Sequence, residues 1–227
     1  MNYRRIPISG SAVVVAFDIC SSSNIIDELA INADMRRLKE LLGGLKRYLA
    51  AEQDNILFDP YKFTGDGWIL LFPADTDGNA LAAFLIRLCK FYEREYKEKL
   101  YPFLVHPPSV SGLTFGIDKG QVETLTIHDQ REYVGRVINV ACRLQEAVKD
   151  KRGNPAYKAL VSNAVFAEYF SAAEFPRVCR VNRTLRNIDH GKSYQCRKIE
   201  LLCGPSVVGR RGTKKPAYSY GTLTMTR

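Results

Sequence analysis

The sequence contains no long apolar run, and its cysteines follow no metal-binding spacing. No stretch approaches the roughly 18 apolar residues that a membrane-spanning helix needs. The amino-terminal apolar run is short, ends in Asp18 and lacks a small-residue cleavage site, which argues against a secretory signal. The six cysteines are scattered, as is typical of reduced thiols. We therefore expect a cytoplasmic protein without a membrane segment.

What the sequence does contain is enough apolar material for one sizeable core. Of its 227 residues, 46% are hydrophobic, which excludes disorder for the bulk of the chain. The formal charge of +9 favours anionic partners, either nucleotides or nucleic acid. No internal repeat or linker divides residues 1–205, so we expect one domain there. Residues 206–227 form a basic, extended tail, which is either a solvated end or a docking segment.

Apolar spacing predicts an α/β (α+β) fold. The continuous apolar run 11–18 indicates a central strand covered on both faces. Helical spacing follows at 38–49 and 81–92, with a hairpin over 55–73 between them. The order strand, helix, hairpin, helix, strand predicts a ferredoxin-like antiparallel sheet with helices packed on it.

The second half of the chain extends the predicted sheet. Residues 109–127 predict two strands around a turn at 118–120, and a third helix begins near Val134. A short helix over 162–170 and late strands at 174–188 and 193–202 complete the domain.

The stretch YKFTGDGW places the carboxylate of Asp66 in the turn of the predicted hairpin. An Asp-Gly pair between apolar runs is also what an ordinary hairpin contains. Asp18, however, ends the first strand, which is a neighbouring central strand in a ferredoxin-like sheet. The two carboxylates can therefore approach each other, and such oxygen ligands select Mg²⁺ or Mn²⁺. The alternative is that they lie in two unrelated surface turns.

The third predicted helix carries polar residues opposite its apolar stripe. Arg136, Asn139 and Arg143 are spaced i, i+3 and i+7 and share one face. An Asn and an Arg there could orient a ribose and neutralise a phosphate. An ordinary solvated helix face would show the same pattern.

Three stretches together resemble the class III nucleotidyl cyclase catalytic domain. They are VVVAFDICSSS, KFTGDG and FGIDKGQVETLTIHDQREYVGRVINVACRLQ, and the resemblance extends over residues 11–146. It implies the class III cyclase fold and conversion of a nucleoside triphosphate to its 3′,5′-cyclic nucleotide and pyrophosphate. Two Mg²⁺ or Mn²⁺ ions per site are implied, as is a homodimer with its active sites at the subunit interface.

The resemblance also implies a role for individual residues. Asp18 and Asp66 match the metal-binding aspartates, and Ile19 would bind metal through its backbone carbonyl. Lys62 and Glu132 match the positions that read the base. The ribose-orienting and transition-state positions are matched by Asn139 and Arg143.

The sequence departs from the family in ways that bear on the choice of base. Most members have Gly-Phe-Thr where this chain has Ser21-Ser22-Ser23, and Asp where it has Arg136. Glu132 is neither the adenylate-type nor the guanylate-type residue. Strand alternation predicts that Tyr61 and Phe63 share a face opposite Lys62.

These departures make the chain similar to the stand-alone bacterial pyrimidine cyclases of antiphage defence. The resemblance implies UTP as substrate, cyclic UMP as product and a separate cyclic-nucleotide effector. The alternatives are an adenylate or guanylate cyclase in ordinary signalling, and a degenerate module that binds nucleotide or RNA. The predicted sheet lacks the exposed aromatic pair of an RNA-recognition signature, which argues against a nucleic-acid partner.

Overall fold

The computed structural model describes residues 4–149 and 154–202. The predicted tail at 206–227 lies outside these ranges, so the domain boundary stays a prediction. Five helices are named here: α1 (Ser22–Ile31), α2 (Met35–Glu52), α3 (Gly78–Glu95), α4 (Arg136–Glu146) and α5 (Asn163–Val165). The strands are β1 (Gly10–Ile19), β2 (Asp59–Phe63), β3 (Gly67–Pro73), β4 (Leu113–Ile127), β5 (Gln130–Val134), β6 (Lys158–Ser162), β7 (Arg177–Thr184) and β8 (Ser193–Glu200).

The strands of the described residues form one mixed sheet in the order β2-β3-β1-β4-β6-β8-β7, with β5 paired to β4. β4 and β6 run parallel, whereas the other neighbouring pairs are antiparallel. This confirms the predicted α+β sheet with helices packed on it. Within the described ranges, no helix combines the length and apolar character needed to cross a membrane.

β1 is central because both of its faces are apolar. Val13, Val15 and Phe17 point into the core that also buries residues of α2 and α3. Val14 and Ala16 point to the opposite face, where α4 packs. A continuous apolar run is therefore required here, and it delivers the polar Asp18 to the strand's end.

The predicted turn at 118–120 is wrong, because β4 pairs with β1 without interruption through Asp118 and Gly120. The glycines of this stretch serve helix packing instead. A Cβ on Gly116 would lie 2.0 Å from the Ala141 carbonyl oxygen, so α4 lies directly on the strand backbone. The chain turns later, at His128 and Asp129, which both have left-handed φ values and link β4 to β5.

Candidate functional site

The turn between β2 and β3 lies against the end of β1. Asp18 is the cross-strand partner of Gly67, the first residue of β3. A Cβ on Gly67 would come within 1.9 Å of the Phe17 carbonyl oxygen, so only glycine fits this contact. The Thr64 amide donates to the Gly67 carbonyl at 3.0 Å and closes the turn. The carboxylate of Asp66 is thereby fixed beside β1.

Asp18 and Asp66 of the same chain are in side-chain contact. Burial raises the pKa of Asp18 to about 7, and both the hydrogen bond that protonated Asp18 donates to Asp66 and the charge of Asp66 add to the rise. The charge of Lys149 opposes it. Ser22, at the start of α1, donates its hydroxyl to Asp66 Oδ2. Two acidic groups thus share one partly buried position.

The donor set here suits a hard divalent cation. No described basic side chain forms an ion pair with Asp18 or Asp66 within 4 Å, so their repulsion is not relieved by a salt bridge. Carboxylates with a neighbouring hydroxyl offer the oxygen ligands that Mg²⁺ and Mn²⁺ select. Ile19 follows in the strand and is buried. Across residues 4–149 and 154–202, no cluster of three or more His, Cys, Asp or Glu could hold a metal. Further ligands would have to come from backbone carbonyls, substrate or water.

α4 presents the predicted polar residues on its outward side. Val137, Val140 and Leu144 are buried, whereas Asn139 is exposed. Arg143 donates to both carboxylate oxygens of Glu146, at 2.5 and 2.8 Å. The structure therefore places the guanidinium on its own helix and not on either aspartate.

A second contact fixes the position of α4 on the sheet. Gln145 Nε2 donates to Thr114 Oγ1 of β4 at 2.8 Å, and both residues are buried. The helix cannot slide along β4 without breaking this bond, so the outward face keeps a fixed orientation.

The prediction that Tyr61 and Phe63 share a face is wrong, because β2 contains a bulge. The register with β3 shifts between Asp59 and Lys62. Phe63 packs on Trp68, with ring centroids 4.7 Å apart, at the half-exposed margin of the core that α2 and α3 cover. Tyr61 belongs to the opposite core, next to α4, and the Lys62 ammonium lies 5.9 Å from its ring centroid. An extra residue in a strand reverses the side-chain alternation that follows it.

The bulge brings Tyr61 to Glu132 on β5. The Tyr61 hydroxyl donates to Glu132 Oε2 at 2.5 Å. Burial raises the pKa of Tyr61, and its hydrogen bond to Glu132 raises it further. Tyr61 also makes an edge-to-face contact with Tyr133, with centroids 5.1 Å apart. Lys62 and Glu132, the two predicted base-reading residues, therefore both adjoin Tyr61.

The tyrosine contacts extend into a buried network. Tyr133 donates to Asp59 Oδ2 at 3.2 Å, and Asp59 is fully buried. Arg5 lies 3.6 Å from the other oxygen of Asp59 and donates to the Tyr61 carbonyl at 2.9 Å. A glycine at 135 connects β5 to α4, and a Cβ there would lie 2.5 Å from the Gln121 carbonyl oxygen. This end of the site is tied to β4 and to the amino-terminal segment.

The sequence did not predict the contacts of three contributors. Ser22 appears there only as part of a serine run, and Lys149 follows α4 without any motif. Tyr61 was placed on the wrong face. In each case the signal is a tertiary contact between residues distant in sequence, which periodicity does not encode.

The chain was compared with known proteins at the level of sequence and of structure. No protein-family model matches it, and no curated protein matches it. Solved structures do. The guanylyl cyclase Cya2 superposes with a TM-score of 0.64 at 14% identity, over 91% of this chain and 98% of that one. The adenylyl cyclase CyaB from P. aeruginosa superposes with a TM-score of 0.61 at 16% identity, over 88% and 97%.

A third similar structure is the guanylate cyclase domain of RhGC from Catenaria anguillulae in complex with GTP. Its TM-score is 0.59 at 13% identity, over 84% of this chain and 96% of that chain. At these identities the likeness concerns the fold. The chain therefore has the fold of the adenylyl and guanylyl cyclase catalytic domains.

Proposed function

We propose that this protein is a nucleotidyl cyclase that converts a nucleoside triphosphate to its 3′,5′-cyclic nucleotide and pyrophosphate. One observation carries the proposal. The Asp18 and Asp66 carboxyls meet at the end of the central strand, without a neutralising salt bridge among the described residues, in a fold shared with adenylyl and guanylyl cyclases. A divalent cation would supply the positive charge that two carboxylates and a bound triphosphate require.

The reaction forms a bond between the ribose O3′ and the α-phosphorus. It breaks the bond from that phosphorus to the bridging oxygen of the β-phosphate, and the electron pair leaves with pyrophosphate. The O3′ proton passes to solvent or to a phosphate oxygen. Asp18, Asp66 and the Ile19 carbonyl would hold the two Mg²⁺ or Mn²⁺ ions. When bound, such ions acidify the hydroxyl and neutralise the leaving group.

The remaining work falls to positioning and charge. Asn139 would hydrogen-bond the ribose, and Arg143 would stabilise negative charge at the transferring phosphorus. For this, Arg143 has to exchange its bonds to Glu146 for bonds to phosphate. We assign the aspartates and these two residues to opposite protomers of a homodimer, so that each active site lies at the subunit interface.

We assign UTP as the preferred substrate. With Oε2 accepting from Tyr61, Glu132 keeps a second carboxylate oxygen for a base N–H. Uracil offers N3–H beside a carbonyl, which Lys62 can bond. Cytosine offers a bare N3 that repels a carboxylate. We assign the cyclic UMP to antiphage signalling through a separate effector. A purine cyclase is the second candidate, because the similar structures are adenylyl and guanylyl cyclases.

One experiment tests both the cyclase activity and the preference for UTP. The purified protein is incubated with each nucleoside triphosphate and Mn²⁺, and the products are identified by mass spectrometry. We expect cyclic nucleotide and pyrophosphate, formed fastest from UTP, then CTP, then the purines. A buried unpaired group costs roughly 1–3 kcal/mol, so UTP should exceed CTP about tenfold or more. Preference for ATP or GTP would reject the base assignment alone. Absence of any cyclic product would support a non-catalytic nucleotide- or RNA-binding module.

A further inference from the structure

A groove of about 580 Å³ separates α2 from the β2–β3 hairpin, on the face of the sheet away from α4. Leu38 and Leu42 form its helical wall, and Phe63 and Trp68 form the wall on the hairpin. Phe63 is 49% exposed, which is unusual for an aromatic side chain beside a core. A cavity of this size and apolar character is typical of small-molecule sites.

Gly43, in the middle of α2, keeps the groove open because it has no side chain. Glycine destabilises a helix interior relative to alanine, so such a position calls for a packing reason. Gly44 has one, because a Cβ there would lie 3.0 Å from Glu95 Oε2. Gly43 lines the groove, and the nearest atom to its Cβ would be the tip of Arg47 at 3.4 Å. The absence of a side chain at Gly43 is therefore not explained by a neighbouring backbone among the described residues. It leaves open space in the groove.

The charged residues that line the groove are both cationic. Lys39 and Lys46 lie seven residues apart on α2, hence about 10 Å along its axis. Lys39 has no hydrogen-bond or ion-pair partner among residues 4–149 and 154–202. No carboxylate lines the groove. A ligand with an apolar body and an anionic head would complement both the apolar walls and the two lysines.

The same charges disfavour the carboxy-terminal segment of this chain as the occupant. The segment after residue 202 contains five basic residues and no acidic one: Arg210, Arg211, Lys214, Lys215 and Arg227.

We propose that this groove is a binding site for a small amphipathic carboxylate, with its apolar chain between α2 and the hairpin and its carboxylate at Lys39. The proposal does not rest on cyclase activity. It does place the ligand beside the turn that holds Asp66, since Trp68 follows Gly67 directly and stacks on Phe17 at 5.6 Å.

The chain provides its own reporter, because Trp68 is its single tryptophan and is 3% exposed in the groove wall. We expect decanoate, kept below its micelle concentration, to change Trp68 fluorescence saturably. Decyltrimethylammonium has the same chain with the opposite charge and should bind at least about tenfold more weakly, because a charge-assisted bond to Lys39 is replaced by repulsion. Equal binding of the two probes would overturn the proposal.

Two variants test the site itself. Gly43→Leu fills the groove and improves helix propensity, so we expect Tm to be unchanged or higher and decanoate binding to be lost. Lys39→Glu should weaken decanoate binding at least about tenfold, whereas Lys90→Glu, an identical charge change on the exposed face of α3, should not. Decanoate binding that survives Gly43→Leu, or that both lysine variants weaken equally, would overturn the proposal. So would a fall in molecular mass on Gly43→Leu, which would identify a second copy as the occupant.

Discussion

The two acidic regions of this molecule are built in opposite ways. Glu132 and Asp59 each accept a hydrogen bond from a tyrosine hydroxyl, and Arg5 lies beside Asp59. Asp18 and Asp66 instead face each other, helped by the Ser22 hydroxyl. In the first region a hydroxyl or a guanidinium lies within 4 Å of each carboxylate, although Asp59 Oδ1 accepts no hydrogen bond. In the second region the charge of Lys149 acts on Asp18, but no ion pair forms among the described residues. Under the proposed function, a cation would relieve the repulsion in the second region, and the first region would recognise the base.

The largest effect should come from breaking the second region. In Asp66→Ala we expect cyclisation to fall by at least ~10³-fold, since metal-ion charge stabilisation is worth several kcal/mol. Glu132→Ala should leave a measurable rate and change mainly the ratio of kcat/KM between UTP and CTP. Initial rates with Mn²⁺ on both variants provide the measurement. Near-normal turnover of Asp66→Ala would remove the metal assignment.

Mixing inactive variants controls for misfolding in this experiment. Asp66→Ala mixed with Arg143→Ala should regain activity, because a mixed dimer rebuilds one complete site from opposite protomers. No recovery after verified subunit exchange would place all these groups in one protomer.

A smaller effect should come from loosening the first region. Tyr61→Phe removes the hydroxyl that orients Glu132 and leaves the ring packed on Tyr133. We expect the preference for UTP over CTP to fall about tenfold, the value of one buried hydrogen bond, with kcat for UTP nearly kept. Competition between the two nucleotides measures this ratio. A uniform loss of kcat for every nucleotide would assign Tyr61 to the chemical step instead.

The smallest effect concerns stability and pH in metal-free protein. The folded pKa of Asp18 is raised from 3.8 to about 7, so its ionisation weakens the folded state as pH rises from about 4 to 7. Asp18→Asn should match wild type at pH 4 and exceed it at pH 8. Because the group is partly exposed, we expect about 1 kcal/mol, or 2–4 °C in Tm. Thermal melts at both pH values measure it. If the wild-type protein and Asp18→Asn had the same Tm at pH 8, the raised pKa of Asp18 would be contradicted.

The sequence predicted the order of elements because apolar periodicity records burial directly. It also predicted that Asp18 and Asp66 approach, since a strand end and an adjacent hairpin turn share one sheet edge. The glycines of β4 misled that reasoning. Gly120 predicts a turn, although in the structure it makes room for Val137 of α4. Close approach and turning use the same amino acid, and only the tertiary structure distinguishes them.

The bulge in β2 was invisible for a related reason. Nothing in the letters around Pro60 states that Tyr61 turns toward Glu132, which lies 71 residues further along the chain. The serine run departs from the cyclase pattern. The sequence does not indicate, however, that the hydroxyl of Ser22 donates a hydrogen bond to Asp66.

The glycine junction at 135 has an evolutionary consequence. It anchors the boundary between β5, which carries Glu132, and α4, which carries Asn139 and Arg143, directly onto β4. Under the proposed function, this anchor would let the β4–β5 hairpin change while α4 keeps its place on β4. Under the proposed function, a lineage could exchange one nucleobase for another by remodelling this hairpin while inheriting the ribose and phosphate machinery unchanged. Substrate choice and catalysis would then evolve as separate modules within one small domain.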